Sequence, residues 1–117
     1  MALVHWGFIY TAAGMGSEPK TTVVDTGPCR TVLIGLASPA EAVEVAARLV
    51  DEGAQLIELC GAFGPLWTAK IIEAVGGRVP VGAVSYGSEA IDHLHAIFAE
   101  IGVSNSSMGI DIGEASV

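Results

Sequence analysis

Charge is scarce in this sequence, and positive charge is scarcer still. Only 15% of the 117 residues are charged, and five Lys and Arg stand against 13 Asp and Glu, for a formal net charge of −8. Lys20, Arg30, Arg48, Lys70 and Arg78 are scattered and form no patch along the chain. Binding to a phosphate backbone needs clustered cations, so nucleic acid is not an expected partner. An anionic small molecule is not excluded, because backbone amides at a helix N-terminus can hold one locally. No apolar run is long enough to span a bilayer. Residues Met1 to Trp6 also lack the basic segment and long apolar region of a secretory leader. No membrane partner is expected, and the expected location is cytoplasmic.

Cysteine is equally sparse. Cys29 and Cys60 have no metal-type spacing with each other or with His5, His93 and His95. No metal site is expected, and the thiols read as reduced. The loop Gly14-Met15-Gly16-Ser17-Glu18-Pro19-Lys20 lacks the strand-to-helix setting of a dinucleotide fingerprint, and no Walker sequence occurs. Lys70 falls within a predicted helix and Lys20 in a loop, which argues against a Schiff-base enzyme with its buried strand lysine. No cofactor is expected.

What the sequence has in quantity is apolar residues, at 51%. Small domains bury a smaller share of their surface than large ones, so this content predicts self-association into a homo-oligomer. Glycine and alanine inflating the percentage is the plainer alternative.

The chain is expected to form a single α/β domain over residues 1–102, followed by a tail, 103–117, that is mobile or packed on a neighbouring subunit. Val4 to Thr11 is aromatic and β-branched and reads as a strand, with Trp6, Phe8 and Tyr10 on one face and His5, Gly7 and Ile9 on the other. Thr21 to Asp25 is a second short strand or an extended edge. The pattern then becomes regular. Thr31–Leu36 is a buried-strand run. Ser38 is an N-cap, Pro39 occupies the first helical position, and Glu41 closes a capping box on a helix that stops at Gly53. A strand over Ala54–Cys60 leads to a helix from Pro65 to about Val75, closed by Gly76-Gly77. A strand over Val79–Val84 leads through Ser85-Tyr86-Gly87 to an N-cap at Ser88 and a helix bearing Ile91, Leu94, Phe98 and Ile101.

Continuous apolar strands alternating with amphipathic helices predict a small, mostly parallel sheet of three consecutive βα units, preceded by one or two strands and packed by helices in three layers. The alternative is a half-barrel completed by oligomerisation.

Ligands of open parallel sheets bind beyond the carboxyl ends of the strands. That rule selects Gly61, Ala62, Phe63 and Gly64, together with Ser85 and Ser88, as ligand-binding candidates, although glycines there also serve ordinary tight turns. Glu58 lies in an apolar run, where burial would raise a carboxyl pKa and suit it to acid–base work. Pairing with an arginine or a backbone amide is the structural alternative. Cys60 precedes the turn, as a nucleophile or a small buried hydrophobe. Tyr86 can orient a ligand through its hydroxyl, and His5 is the preferred general base among the histidines. His93 reads as solvated and His95 as packed. Glu58, Cys60, Tyr86 and His5 together predict a small cofactor-independent enzyme of isomerase, lyase or cyclase type acting on a partly apolar molecule. A non-catalytic small-molecule-binding or assembly protein is the competing expectation.

The segments Gly53-Ala54-Gln55-Leu56-Ile57-Glu58-Leu59-Cys60-Gly61-Ala62-Phe63-Gly64 and Val81-Gly82-Ala83-Val84-Ser85-Tyr86-Gly87 resemble a small, functionally uncharacterised bacterial family from the first strand to about Phe98. The Gly-Ala-x-Leu-Ile-Glu phrase is also similar to strand units of (βα)8 aldolases and epimerases, a likeness that implies a site location and no reaction.

Overall fold

The structure is a computed structural model and describes residues 1–100. The expected tail and the end of the last helix lie outside the described residues. Five strands form one mixed sheet: β1 His5–Thr11, β2 Lys20–Asp25, β3 Arg30–Leu36, β4 Ile57–Leu59 and β5 Val81–Ala83. Three α-helices follow β3, β4 and β5 in turn, α1 Ala42–Asp51, α2 Gly64–Val75 and α3 Ile91–Glu100.

The order across the sheet is β2-β3-β1-β4-β5, with β2 antiparallel to β3 and every other pairing parallel. The first-formed strand therefore lies in the middle, between β3 and β4. Consecutive strands of a (βα)8 barrel are neighbours, whereas here β1 separates β3 from β4, so the likeness of the Gly-Ala-x-Leu-Ile-Glu phrase to barrel units does not extend to strand order. The second strand is an edge partner of β3. Its hairpin is closed by Gly27 at φ +94, with Asp25 Oδ1 accepting from Gly27 N–H at 2.9 Å and Thr26 N–H donating to the Cys29 carbonyl at 3.0 Å.

Side-chain alternation gives the sheet two unlike faces. Ile9, Val32, Ile34, Leu36, Ile57 and Leu59 are buried with Val45, Ala46 and Leu49 of α1 and Ile71 and Val75 of α2 in one core. Each fully buried aliphatic side chain contributes about 1.5–3 kcal/mol. The opposite face carries Trp6, Phe8, Tyr10 and Leu33, each half-buried and outside that core, with the Phe8 and Tyr10 rings stacked at 6.2 Å. α1 and α2 thus lie together on one face. Periodicity shows that a helix has an apolar side and is silent on which face of the sheet it covers.

Glycine makes two close approaches possible. A Cβ at position 7 would come within 2.7 Å of Leu49 Cδ1, so α1 sits down on β1 only because Gly7 is bare. On the open face a Cβ at position 35 would fall on the Tyr10 ring and the Met15 methyl, so Gly35 lets Tyr10 lie across β3.

Local signals fix the helix ends. Ser38 N–H donates to Glu41 Oε2 at 3.0 Å, as the capping box requires, although the first turn, Pro39–Glu41, is a 3-10 turn and the α-helix starts at Ala42. Gly53 at φ +109 ends α1 and Gly76 at φ +64 ends α2. Ahead of β4, which is shorter than expected, Gln55 clamps the start of β1. Its side-chain carbonyl accepts from Val4 N–H at 2.7 Å and His5 N–H at 3.0 Å, while its own N–H donates to the His5 carbonyl at 2.7 Å. The Arg78–Asp51 ion pair at 2.6 Å joins the end of α1 to the turn after α2, and its exposed partners make it worth about 0–1 kcal/mol.

The Gly7–Leu49 contact predicts non-additive stability. In urea titrations, Leu49→Ala costs about 2–5 kcal/mol, and Gly7→Ala alone costs about 1–3 kcal/mol by overpacking. The double variant is expected to be more stable than the sum of the two losses, because the new methyl occupies part of the space Leu49 leaves. Strict additivity would show that the two positions are not in contact.

Candidate functional site

Beyond the carboxyl ends of the strands lies a cleft of about 410 Å³, lined by Thr11 and Ala12 after β1, Cys60, Gly61 and Ala62 after β4, Tyr86 after β5, and Leu94 and Phe98 of α3. Its place follows from topology. The chain leaves β1 towards β3, on one side, and leaves β4 towards β5, on the other. The crevice between β1 and β4 is therefore a topological switch point, where connections diverge and leave the sheet edge open.

Each wall has a local cause. Cys60 N–H donates to the Ile9 carbonyl at 3.0 Å, which holds the end of β4 against β1. The turn beyond it is tight: Phe63 N–H returns to the Cys60 carbonyl at 3.2 Å, and Phe63 is buried under α2. A Cβ on Gly61 would stand 3.1 Å from Cε2 of Tyr86 and 3.6 Å from the Val84 carbonyl, so the missing side chain lets the tyrosine ring lie over the turn. Leu94 and Phe98, four apart on α3, present the apolar stripe of that helix to the opening. The Thr11 Oγ1 is buried without a hydrogen-bond partner among the described residues. An unpaired buried hydroxyl costs about 1–3 kcal/mol.

Of the residues singled out in the sequence, the fold brings Cys60, Gly61, Ala62 and Tyr86 to this cleft. Phe63 is a core residue and the N-cap of α2. Gly64 and Ser85 line a separate shallow apolar groove with Pro65, Ile72 and Val84. Ser88 opens the 3-10 turn Ser88–Ala90 ahead of α3, whose N-cap is Gly87.

Glu58 departs from expectation. Rather than lying in an apolar interior, it is exposed on the open face, beside Gly82, Ala83 and Val84. Its neighbours Ile57 and Leu59 take the core face, and no helix of the α1–α2 layer covers the other. His5 begins β1 and so lies at the amino edge of the parallel strands, the far edge from Cys60 and Tyr86. The four residues expected to share one acid–base site are thus distributed over three places. Sequence reasoning missed Thr11, Ala12 and the Leu94–Phe98 pair as cleft walls. Thr11 could have been found as the last residue of the β1 alternation, at the same edge as Cys60. Among the described residues no group of three or more His, Cys, Asp or Glu side chains converges as metal ligands, and no helix is long and apolar enough to cross a membrane.

A mostly parallel open α/β sheet with a cleft at its switch point defines the class. Within it, the chain belongs to a family of unknown function, DUF6506, whose model matches residues 4–99 and so takes in every strand, α1, α2 and nearly all of α3. No curated protein matches the chain.

The Gly61–Tyr86 contact gives a direct check on the cleft. Gly61→Val is expected to displace the Tyr86 ring, with large changes in its ring NMR signals. The loss of stability stays below about 1 kcal/mol, because the ring is already 61% exposed. Unchanged Tyr86 signals would mean that the ring does not lie over the turn.

Proposed function

We propose that the protein binds a small, largely apolar molecule with one hydrogen-bonding group in the switch-point cleft. The observation that carries this reading is a cavity at the switch point walled by Ala12, Ala62, Leu94 and Phe98, with Cys60 and Tyr86 among its lining residues. The volume suits a ligand of modest size. Apolar walls supply affinity through area removed from water, and the Cys60 thiol and Tyr86 hydroxyl orient the polar group. Acid–base catalysis of the isomerase, lyase or cyclase kind would have to run on Cys60 and Tyr86, since Glu58 and His5 stand elsewhere, and binding is the simpler role for this set.

Cysteine alkylation tests the reading. With cyclohexanone or benzamide as probe, the iodoacetamide reaction at Cys60 is expected to slow while that at Cys29, in the β2–β3 hairpin, keeps its rate. Tyr86→Ala should weaken the protection. Equal protection of both cysteines, or none, would remove the cleft as the binding site.

A second reading concerns assembly, and the open sheet face favours it. Trp6, Phe8, Tyr10 and Leu33 form a continuous apolar strip, edged by Val24 at 48% exposure. Two charges flank the strip, Lys20 in the row of Tyr10 and Gly35, and Glu58 in the row of Phe8 and Leu33. They lie on strands either side of the β3–β1 pair and have opposite sign. A twofold axis parallel to the strands would set β2 of one copy over β4 of the next and bring Lys20 against Glu58 twice, the self-complementarity an isologous dimer needs. Sedimentation analysis is expected to give a homodimer that Leu33→Lys or Lys20→Glu dissociates and the double exchange Lys20→Glu with Glu58→Lys restores. A monomeric wild type, or a double exchange no better than the single, would rule this face out.

A further inference from the structure

The scattered basic residues of the sequence are not all scattered in the fold. A second cavity, of about 450 Å³, lies on the helix-covered face near the amino edge of the strands, and His5, Arg30 and Arg48 all line it. His5 and Arg30 are register partners on β1 and β3, so their side chains leave the sheet on the same face. Arg48 comes from α1, one residue before the Leu49 anchor. The α1 helix covers β1 and β3 but stops short of the edge strand, leaving Thr21 and Val23 of β2 as an uncovered shelf. Val32, Ile34 and Leu49 stand behind the inner wall as core residues, and Val23, at 41% exposure on the shelf, is the apolar surface the cavity offers.

Pairing makes the cavity unusual. The chain has 13 acidic side chains for five basic ones, so an arginine without a carboxylate partner goes against the odds. Among the described residues the one ion pair is Arg78–Asp51, and neither Arg30 nor Arg48 has a carboxylate within 4.0 Å, although Glu52 lines the cavity and Asp25 stands opposite Arg30 in register on the same face. Two guanidinium groups and an imidazole thus face one space with their donors unspent. We propose that this cavity is a binding site for a small organic carboxylate with an apolar body. Its head lies between Arg30 and Arg48, with His5 beside it, and its chain rests on Val23 of the uncovered shelf. Planar guanidinium donors match a carboxylate in a two-pronged geometry, and covering the exposed Val23 side chain rewards an apolar body over a bare ion. The site is separate from the switch-point cleft, since the two open at opposite ends of the strands.

Titration of the 15N-labelled 117-residue chain with hexanoate, hexanol and inorganic phosphate tests the assignment. Hexanoate is expected to shift the amides of His5, Arg30, Arg48 and Leu49 and to leave those of Cys60, Gly61 and Tyr86 in place. Hexanol should bind far more weakly, and phosphate, lacking the apolar body, more weakly than hexanoate. Arg30→Gln and Arg48→Gln should each reduce hexanoate affinity by about tenfold, the order expected for a lost charge-assisted contact. Glu52→Gln should strengthen binding by removing a competing carboxylate, and Lys70→Gln, which alters a cation held 4.2 Å over the Trp67 ring on α2, should do nothing. Circular dichroism of each variant separates lost binding from lost folding. Hexanoate shifts that are absent, that fall at the cleft instead, or that persist unchanged in both arginine variants would overturn the proposal. So would equal binding of hexanol.

Discussion

Leu49 reaches the centre of the sheet because position 7 has no side chain. That one contact sets the height of α1 above β1, and the rest of the covered face follows from it. α2 packs beside α1, and Ile71 and Val75 complete the core over Ile57 and Leu59. The same seating leaves Arg48 and Glu52 at the outer margin of α1, above a strand the helix does not reach. The core and the arginine-lined cavity thus lie on the two sides of one closely seated helix.

A sheet covered on one side has a surplus face, and that surplus connects the composition to the structure. The apolar excess was legible as an excess, yet its location was not. Alternation along β1 separates Trp6, Phe8 and Tyr10 from His5, Gly7 and Ile9 without saying which set is covered. Register supplies the missing information. It aligns Phe8 with Leu33 and Glu58, and Tyr10 with Gly35 and Lys20, turning isolated alternations into a surface with a pattern of its own.

Local signals were the readable ones. The Ser38–Glu41 cap, the glycine stops at Gly53 and Gly76, and the strand from His5 to Thr11 all rest on forces acting within a few residues. Strand order does not, and neither do the sites. Cys60 and Tyr86 were identified because both follow strands, and strand ends share an edge in a parallel sheet. His5 was grouped with them although it starts a strand, which puts it at the other edge. Arg30 and Arg48 were counted as isolated charges. A signal was nevertheless present, since Arg30 shares the alternation of Val32 and Ile34, which places a cation on the face the helix covers. Glu58 shows the reverse error. Flanking apolar residues in a strand speak for the opposite face, and a carboxylate between two buried residues points away from the core.

The central position of β1 also carries a kinetic consequence. Its segment His5-Trp6-Gly7-Phe8-Ile9-Tyr10-Thr11 is made first, is rich in strand-forming residues, and contains neither proline nor an Asp, Glu, Lys or Arg. One of its neighbours is at hand once the hairpin of β2 and β3 exists, but the other is Ile57–Leu59, which must wait for α1 and its turn to be made and placed. Non-local parallel pairing of this kind is slow to nucleate. During synthesis the strand with the highest tendency to pair with anything spends the longest time with one edge unoccupied, and such segments seed association between incomplete chains. The hairpin strand β2, exposed and bearing Lys20, gives β3 its outer partner early and remains the outer edge of the finished sheet, so the edge of the nascent sheet that waits for a partner is that of β1.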